Sequence, residues 1–238
     1  MKELAIIYRA CPSEINNPKQ GRPSSFSKER CYESFYNNFA HKSDIYVVWD
    51  GDKNNRLYEY IEKTAHSINI ISIDVKDNKK SLEACFNLAE KLDNRYLGFV
   101  EDDYKWLPKS YEFTIDALKL GYDPLTLYNH PDRYLRDDRG WYVGGTDQTL
   151  GRDLVGLTNH GYIRTCESTT GSFMCSKEFF NMVKAELYKF NNEGTGAMND
   201  RAFWRFINNN YPFRLWSAIP GMSCHMQLPL TPHVNWDI

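Results

Sequence analysis

The stretch Leu97-Gly98-Phe99-Val100-Glu101-Asp102-Asp103 begins as an apolar run and ends in three consecutive carboxylates, the acidic triplet 101–103. The apolar part is short, aromatic and β-branched enough to predict a buried strand. Three acids at the end of such a strand repel one another unless something neutralises them. A divalent cation is the simplest remedy, because Mg²⁺ and Mn²⁺ favour carboxylate oxygens and keep open positions for phosphate. The alternative is a solvated acidic loop that only ends a strand.

Apolar runs and helical patterns alternate through the first half of the chain, which predicts an α/β fold with a mainly parallel central sheet flanked by helices. No internal repeat, linker or low-complexity run divides the sequence, so a single domain is predicted for residues 1–238. Strands are predicted at residues 4–8, 45–49, 68–73, 96–100, 125–128, 173–175 and 213–218. Helices are predicted at residues 28–39, 57–65, 81–92, 108–120, 177–190 and 200–209.

Residues with strong capping preferences mark several helix ends. Ser81, Ser176 and Asp200 stand where their side chains could cap the first turn of a helix. Pro108 suits the first turn of the helix that ends near residue 120, and Gly121 is expected to terminate that helix.

The pattern of strands and helices breaks down between residues 129 and 170, a segment rich in Gly, Asp, Arg, Thr and aromatic residues. A loop of this length in a compact domain is usually functional or mobile. Aromatic rings can stack on sugar faces and polar groups can bond sugar hydroxyls; the candidates here are His130, Asp132, Arg133, Trp141, Tyr142 and Asp147. The alternative is an irregular surface excursion. The tail from residue 220 onward is also expected to be irregular.

Composition excludes several classes of protein. The formal net charge is -2, so no overall basic field indicates a nucleic-acid partner. None of the 6 cysteines forms a CxxC pair, which disfavours a zinc site, and thiols within apolar patterns favour a reducing cytoplasm. The first apolar run is too short for a signal peptide, and no stretch approaches the ~20 apolar residues of a transmembrane segment.

Polar residues follow three of the predicted strands directly: Arg9, Asp50 and the acidic triplet. In parallel sheets, ligands bind beyond the carboxyl ends of the strands, so these residues are expected to share one binding edge. The sequence has no GxGxxG after a strand and no GxxxxGK[ST], which disfavours dinucleotide oxidoreductases and P-loop enzymes. Ser172 lacks the GxSxG elbow of a hydrolase.

The order of these motifs resembles a GT-A glycosyltransferase of the family-2-like nucleotide-sugar transferases. The resemblance covers nearly the whole chain and implies a nucleotide-binding half at about 1–103 and an acceptor-side half at about 104–238. Its motifs are the strand ending Val47-Val48-Trp49-Asp50-Gly51-Asp52, the acidic triplet, Thr170-Gly171-Ser172-Phe173-Met174, Asn199-Asp200, and Pro220-Gly221-Met222-Ser223-Cys224-His225.

The resemblance implies a role for each matching residue. Donor nucleotide binding falls to Arg9, Asp50 and Asp102, with Asp50 bonding the base. Mn²⁺ or Mg²⁺ would be held by Asp103, Glu101 and His225, and would neutralise the leaving diphosphate.

On the acceptor side, the resemblance assigns the catalytic base to Asp200, which would deprotonate the acceptor hydroxyl. Weaker acceptor-binding assignments fall on Trp141, Tyr142 and Ser172.

The sequence therefore predicts a cytoplasmic glycosyltransferase that moves a sugar from a nucleoside diphosphate sugar to a glycan or glycolipid acceptor, with inversion. One alternative is a nucleotidyltransferase that forms a sugar nucleotide, although Arg9-Ala10-Cys11-Pro12-Ser13-Glu14 is a poor match to its Gly-rich phosphate loop. Another is a non-catalytic glycan-binding module, which would bind sugar without nucleotide or metal.

Overall fold

The computed structural model describes residues 1–12, 21–64, 66, 68–131, 154–169 and 171–227. The strands are β1 Leu4–Ala10, β2 Asp44–Asp50, β3 Ile68–Ile73, β4 Tyr96–Glu101, β5 Tyr104–Trp106, β6 Leu125–Thr126, β7 Val155–Thr158, β8 Gly161–Cys166, β9 Phe173–Ser176, β10 Leu215–Ile219 and β11 Ser223–His225. The helices are α1 Lys28–Phe39, α2 Arg56–Thr64, α3 Asn78–Glu90, α4 Ser110–Lys119, α5 Lys177–Glu193 and α6 Asp200–Asn210.

Nine of these strands form one sheet in the order β3-β2-β1-β4-β9-β6-β10-β8-β7, while β5 and β11 pair separately. Strands β1 to β4 are parallel, and β6 and β10 are parallel to each other. Within the described part of the nine-stranded sheet, β8 and β9 are the strands that run antiparallel to their neighbours, and β5 and β11 are antiparallel to each other in their separate pair. The predicted α/β class with a mainly parallel central sheet flanked by helices is confirmed.

Strand β1 shows why the sheet is buried on both faces. Leu4, Ile6 and Tyr8 pack into the core beneath α1, α2 and α4, whereas Ala5 and Ile7 pack into the core beneath α3, α5 and α6. Side chains alternate between the faces of a strand, so a strand covered on both sides reads as a continuous apolar run. This burial fixes the strand register and brings the carboxyl ends of β1, β2 and β4 to one edge of the sheet.

Several local predictions are confirmed. Helix α1 and strand β3 have the predicted bounds. Gly121 ends α4 with φ +89, and its amide donates to Leu118 O at 3.1 Å while the next amide donates to Ala117 O at 3.0 Å. This is the paired hydrogen-bond pattern of a Schellman motif, which needs a residue tolerant of positive φ. Ser176 caps α5 by accepting from Phe179 N at 3.0 Å.

Two helix starts were predicted wrongly. Helix α3 begins at Asn78, because Asp77 caps it, and Ser81 lies one turn inside, where its hydroxyl donates to Asn78 O at 3.2 Å. Helix α4 begins at Ser110, so Pro108 precedes the helix instead of lying in its first turn.

The prediction of a structureless segment from 129 to 170 is also wrong, because β7 and β8 form an antiparallel hairpin within it. The exposed face of this hairpin carries the apolar residues Val155 and Leu157. The sequence therefore lacks the alternation of apolar and polar residues that predicts a half-buried strand. The tail that was predicted to be irregular contains strand β11. The strands predicted at 125–128 and 213–218 are present with different bounds, at Leu125–Thr126 and Leu215–Ile219.

Within the described ranges, no helix combines the length and apolar character needed to cross a membrane. The division of the chain into a nucleotide-binding half and an acceptor-side half of one domain stays a prediction.

Candidate functional site

The residues predicted to bind a donor lie at one edge of the sheet. Asp50 is the last residue of β2 and Glu101 is the last residue of β4. Arg9 lies within β1, contrary to the prediction that it follows the strand, and it is in register with Glu101 on β4. The parallel arrangement therefore brings the ends of three strands together, as ligand sites in such sheets require.

Each carboxylate of the acidic triplet pairs with a basic side chain of the same chain. Glu101 pairs with Arg9. Asp102 pairs with Lys28 Nζ at 2.8 Å, and Asp103 pairs with Arg22 Nη1 at 3.0 Å. The repulsion that the sequence predicts is therefore relieved by the protein itself. Neutralisation of the triplet alone does not call for a metal ion.

Arg9 joins the triplet to the first turn of α3. Besides Glu101, its guanidinium donates to Asn78 O and to Ser81 Oγ, both at 3.1 Å. Burial is the largest single influence and lowers the pKa of Arg9, but the charge and hydrogen bond of Glu101, together with the smaller effects of Cys85 and Asp102, raise the pKa overall. Burial raises the pKa of Glu101, and Arg9 only partly opposes this shift.

Asp102 and Lys28 form a buried pair that holds the end of β1 against α1. Their exposed fractions are 8% and 7%. Asp102 Oδ2 also accepts from Cys11 N at 2.9 Å, and Lys28 Nζ donates to Cys11 O at 3.0 Å. Breaking one partner of such a pair leaves an uncompensated buried charge, so this contact is structural whatever else it does. The predicted donor-binding role of Asp102 stays a prediction.

Asp103 and His225 come together because β11 pairs with β5. His225 lies opposite Tyr104 in that pairing and stacks on its ring, with centroids 5.0 Å apart. His225 Nε2 is 3.0 Å from Asp103 Oδ2. Burial alone would raise the pKa of Asp103, but His225 and Arg22 together hold it well below its usual range.

The Asp103–His225 pair fits two positions of a divalent ion. Ligands about 2.1 Å from a shared octahedral ion lie about 3 Å apart, which matches the distance between these two atoms. Asp103 Oδ1 is buried and has no hydrogen-bond partner among the residues that the structure describes. No group of three or more His, Cys, Asp or Glu that could hold a metal occurs among the described residues. An ion here would therefore take its remaining ligands from phosphate or water, as Mg²⁺ commonly does.

The Asp50 side chain accepts hydrogen bonds from the loop that follows β3. Its Oδ1 accepts from Val75 N at 2.9 Å and from Lys76 N at 3.0 Å, where Lys76 has φ +50. The carboxylate thus fixes the shape of the loop beside the binding edge. Bonding of a nucleotide base by Asp50 stays a prediction.

Asp200 is the first residue of α6, and the expected capping role belongs instead to Asn199, which accepts from Ala202 N at 3.3 Å. Asp200 Oδ1 accepts from Arg201 N at 2.7 Å. Burial, with a smaller contribution from the charge of Glu101, raises the pKa of Asp200 to about 6. This carboxyl group can therefore accept a proton near neutral pH.

Of the residues assigned to the acceptor, Ser172 is described and is 3% exposed. Its hydroxyl accepts from Glu101 N at 3.1 Å, so it supports the end of β4. Acceptor binding by Ser172 stays a prediction. Trp141 and Tyr142 lie outside the described residues, as do Asp132, Arg133 and Asp147.

Sequence reasoning missed Lys28 and Arg22. Lys28 was interpreted only as the first residue of a helix, and Arg22 lies in a Pro- and Gly-containing loop. They lie 74 and 81 positions from their acidic partners. No local pattern in one sequence links residues so far apart, so only the three-dimensional pairing reveals them.

No family model and no curated protein matches the sequence. The structure is similar to residues 1–349 of S. aureus TarS, with TM-score 0.55 and 10% identity over 92% of this chain and 60% of that chain. It is also similar to a proposed nucleotide-diphospho-sugar transferase from Desulfovibrio desulfuricans G20, with TM-score 0.54 and 9% identity over 91% and 80% of the two chains. A third similar structure is 4-diphosphocytidyl-2C-methyl-D-erythritol synthase from Anaerococcus prevotii DSM 20548, with TM-score 0.53 and 12% identity over 99% and 92%.

These likenesses define a GT-A-like fold shared with nucleotide-diphospho-sugar transferases and nucleotidyltransferases. At sequence identities of 9%, 10% and 12%, these similarities support a conclusion about the fold alone. The chain spans about 60% of the TarS structure that it matches.

Proposed function

We propose that this protein transfers a sugar from a nucleoside diphosphate sugar to a hydroxyl group of a glycan or glycolipid precursor, with inversion at the anomeric carbon. The proposal rests on the environment of Asp200. This residue begins α6 without capping it, and burial, with a smaller effect from the charge of Glu101, raises its pKa. The proposed base is thus close enough to the acidic triplet for the charge of Glu101 to influence its pKa.

Asp200 acts as the base in this proposal. Its pKa near 6 leaves it ionised at neutral pH and still able to accept a proton. As the acceptor oxygen bonds to the anomeric carbon, the bond from that carbon to the diphosphate oxygen breaks, and the acceptor proton moves to Asp200. Attack from the face opposite the leaving group gives inversion through an oxocarbenium-like transition state.

The donor's diphosphate would lie beyond the carboxyl ends of β1, β2 and β4. Asp103 and His225 would hold Mn²⁺ or Mg²⁺, which supplies charge neutralisation of the leaving diphosphate when bound. Arg9 keeps Glu101 in place at the same edge through their ion pair. Asp50 and the backbone that it orders would form the side of the site that receives the base.

The six cysteines of the chain are free of disulfides. Free thiols persist in reducing compartments, so we place the proposed reaction in the cytoplasm.

A binding screen tests the proposal first. A TarS structure with TM-score 0.53 to this chain is in complex with UDP-GlcNAc, which makes UDP sugars the first donors to examine. Thermal unfolding is measured with nucleoside diphosphates and their sugars, with and without Mn²⁺, for the wild-type protein and Asp103→Ala. We expect a rise in melting temperature that needs Mn²⁺ and is lost in Asp103→Ala. A binding ligand at a hundredfold excess over its Kd stabilises by ~2.7 kcal/mol.

Other outcomes of the screen redirect the assignment. A shift without metal would keep a transferase but remove the ion from its mechanism. No shift with any nucleotide would contradict the proposal and favour a glycan-binding module, for which sugar alone should raise the melting temperature.

A second candidate function is nucleotidyl transfer. It is favoured by the Anaerococcus prevotii synthase, which matches over 99% of this chain and 92% of its own. A nucleotidyltransferase supplied with a nucleoside triphosphate and a sugar phosphate releases pyrophosphate, whereas a glycosyltransferase releases a nucleoside diphosphate from the sugar nucleotide. Product analysis therefore separates the two.

A further inference from the structure

Arg22 links the loop before α1 to Asp103, one of the three predicted metal ligands, and to the residue that follows His225. Its Nη1 atom lies 3.0 Å from Asp103 Oδ2 and donates to the carbonyl oxygen of Met226, the residue after His225, at 2.7 Å. The guanidinium also lies over the Phe26 ring, 4.6 Å from its centroid. One positively charged group thus lies against the carboxylate that a divalent ion would use.

We propose that Arg22 is a built-in competitor for the divalent cation at Asp103. Arg22 pairs with Asp103 Oδ2, so an ion that binds Asp103 Oδ2 and His225 Nε2 together does so only when Arg22 moves away. The inference rests on the proposed function, because that function supplies the reason for a cation at Asp103. Its physical basis is charge repulsion, since a guanidinium and a divalent ion a few ångströms apart on one oxygen repel each other strongly.

The Arg22–Asp103 pair is suited to exchange, in contrast to the Lys28–Asp102 pair. Side-chain exposure is 27% for Arg22 and only 8% for Lys28. A more exposed pair contributes less to stability and is more easily opened. Lys28 therefore stabilises the fold, whereas Arg22 controls the access of a divalent cation to Asp103.

A diphosphate gives Arg22 an alternative partner. Arginine binds phosphate oxygens through paired N–H groups, so donor binding compensates for the loss of Asp103. Metal and donor would then bind together, each strengthening the other by the same factor. The free protein would hold the ion weakly.

The test measures Mn²⁺ binding to the nucleotide-free protein by electron paramagnetic resonance of unbound Mn²⁺. We expect Arg22→Gln to bind Mn²⁺ about tenfold more tightly than wild type, within the range that changes around metal ligands produce. Arg22→Met, a second neutral replacement, should behave alike, whereas Arg22→Lys keeps the charge and should resemble wild type. Arg30→Gln is the matched control, because it removes an exposed arginine whose guanidinium donates a long hydrogen bond, of 3.5 Å, to Ser25 O.

Adding Asp103→Asn to Arg22→Gln should remove the gained affinity. Equal Mn²⁺ affinities in wild type and both neutral variants, including no measurable binding by any of them, would overturn the inference. A gain that survives Asp103→Asn would overturn it as well. The proposed function fails by a different result, the absence of any nucleotide-induced shift, so the two failures are distinguishable.

Discussion

The side chain of Asn199 caps helix α6 at the position where Asp200 was expected to do so. This one-residue difference matters because capping consumes the oxygen of the capping residue. Asp200 follows inside the helix, with a pKa raised to about 6 by burial and by Glu101. Asn199 thus supplies the cap, and the side chain of Asp200 is left for the catalytic role that we propose for it.

Activity should depend on the ionisation of Asp200. We expect kcat/KM to rise with pH through about 6 and to level off above it, because only the ionised carboxylate can accept the acceptor proton. Asp200→Asn should lower kcat by roughly 10²- to 10⁴-fold while donor binding persists. A rate profile that is flat between pH 5 and 8, or full turnover by a folded Asp200→Asn protein, would remove Asp200 from the mechanism.

The same raised pKa predicts how stability varies with pH. The pKa of Asp200 in the folded protein lies above its ordinary value of 3.8, so its stabilising contribution is complete below that pH and is lost as the pH rises through about 6. Asp200→Asn should therefore raise the melting temperature at pH 8 relative to wild type, with a smaller difference at pH 4. Unfolding curves at the two pH values measure this, and an equal effect at both would contradict it.

The buried Lys28–Asp102 pair should be essential for folding. Replacing Lys28 by Met should lower the free energy of unfolding by about 3–5 kcal/mol, because it strands a buried carboxylate. Lys42→Met is the control: its pair with Glu112 is 45% exposed on the lysine side, and such pairs contribute about 1 kcal/mol or less. Denaturant unfolding compares the variants, and similar losses would show that Lys28 contributes no more than a surface charge.

Gly171 should tolerate replacement less well than Gly121, because it lies against the Glu101 carboxylate. An added Cβ would meet Glu101 Oε2 at 2.3 Å, and the backbone has φ +86. Gly121 has a similar φ of +89 but open space around it, so Gly121→Ala should lose only the roughly 1–2 kcal/mol of a left-handed non-glycine residue. Gly171→Ala should lose more and should also weaken donor binding. Equal losses in unfolding experiments would mean that Glu101 moves aside freely.

Sequence periodicity predicted the elements that have long regular patterns. Helix α1 and strand β3 have the bounds expected from their apolar spacing, and Gly121 ends α4 as its conformational freedom allows. These features depend on residues close together in the chain. Local physical preferences are sufficient to specify them.

The parts that could not be predicted depend on contacts between distant residues. Strands β5 and β11 have three residues each and pair with each other, and this pairing brings His225 to Asp103. The basic partners of the acidic triplet likewise come from remote segments. The sequence located the acids correctly, but the reason that they tolerate one another lies in this tertiary pairing.

The most direct measurement of the central claim is ³¹P nuclear magnetic resonance of the products that the wild-type protein forms from a nucleoside diphosphate sugar with Mn²⁺. We expect the donor's sugar–phosphate bond to be cleaved to give the free nucleoside diphosphate, and a folded Asp200→Asn protein to bind the donor without this release. Pyrophosphate formed from a nucleoside triphosphate and a sugar phosphate, with no nucleoside diphosphate released from any donor, would contradict glycosyl transfer and assign nucleotidyl transfer instead.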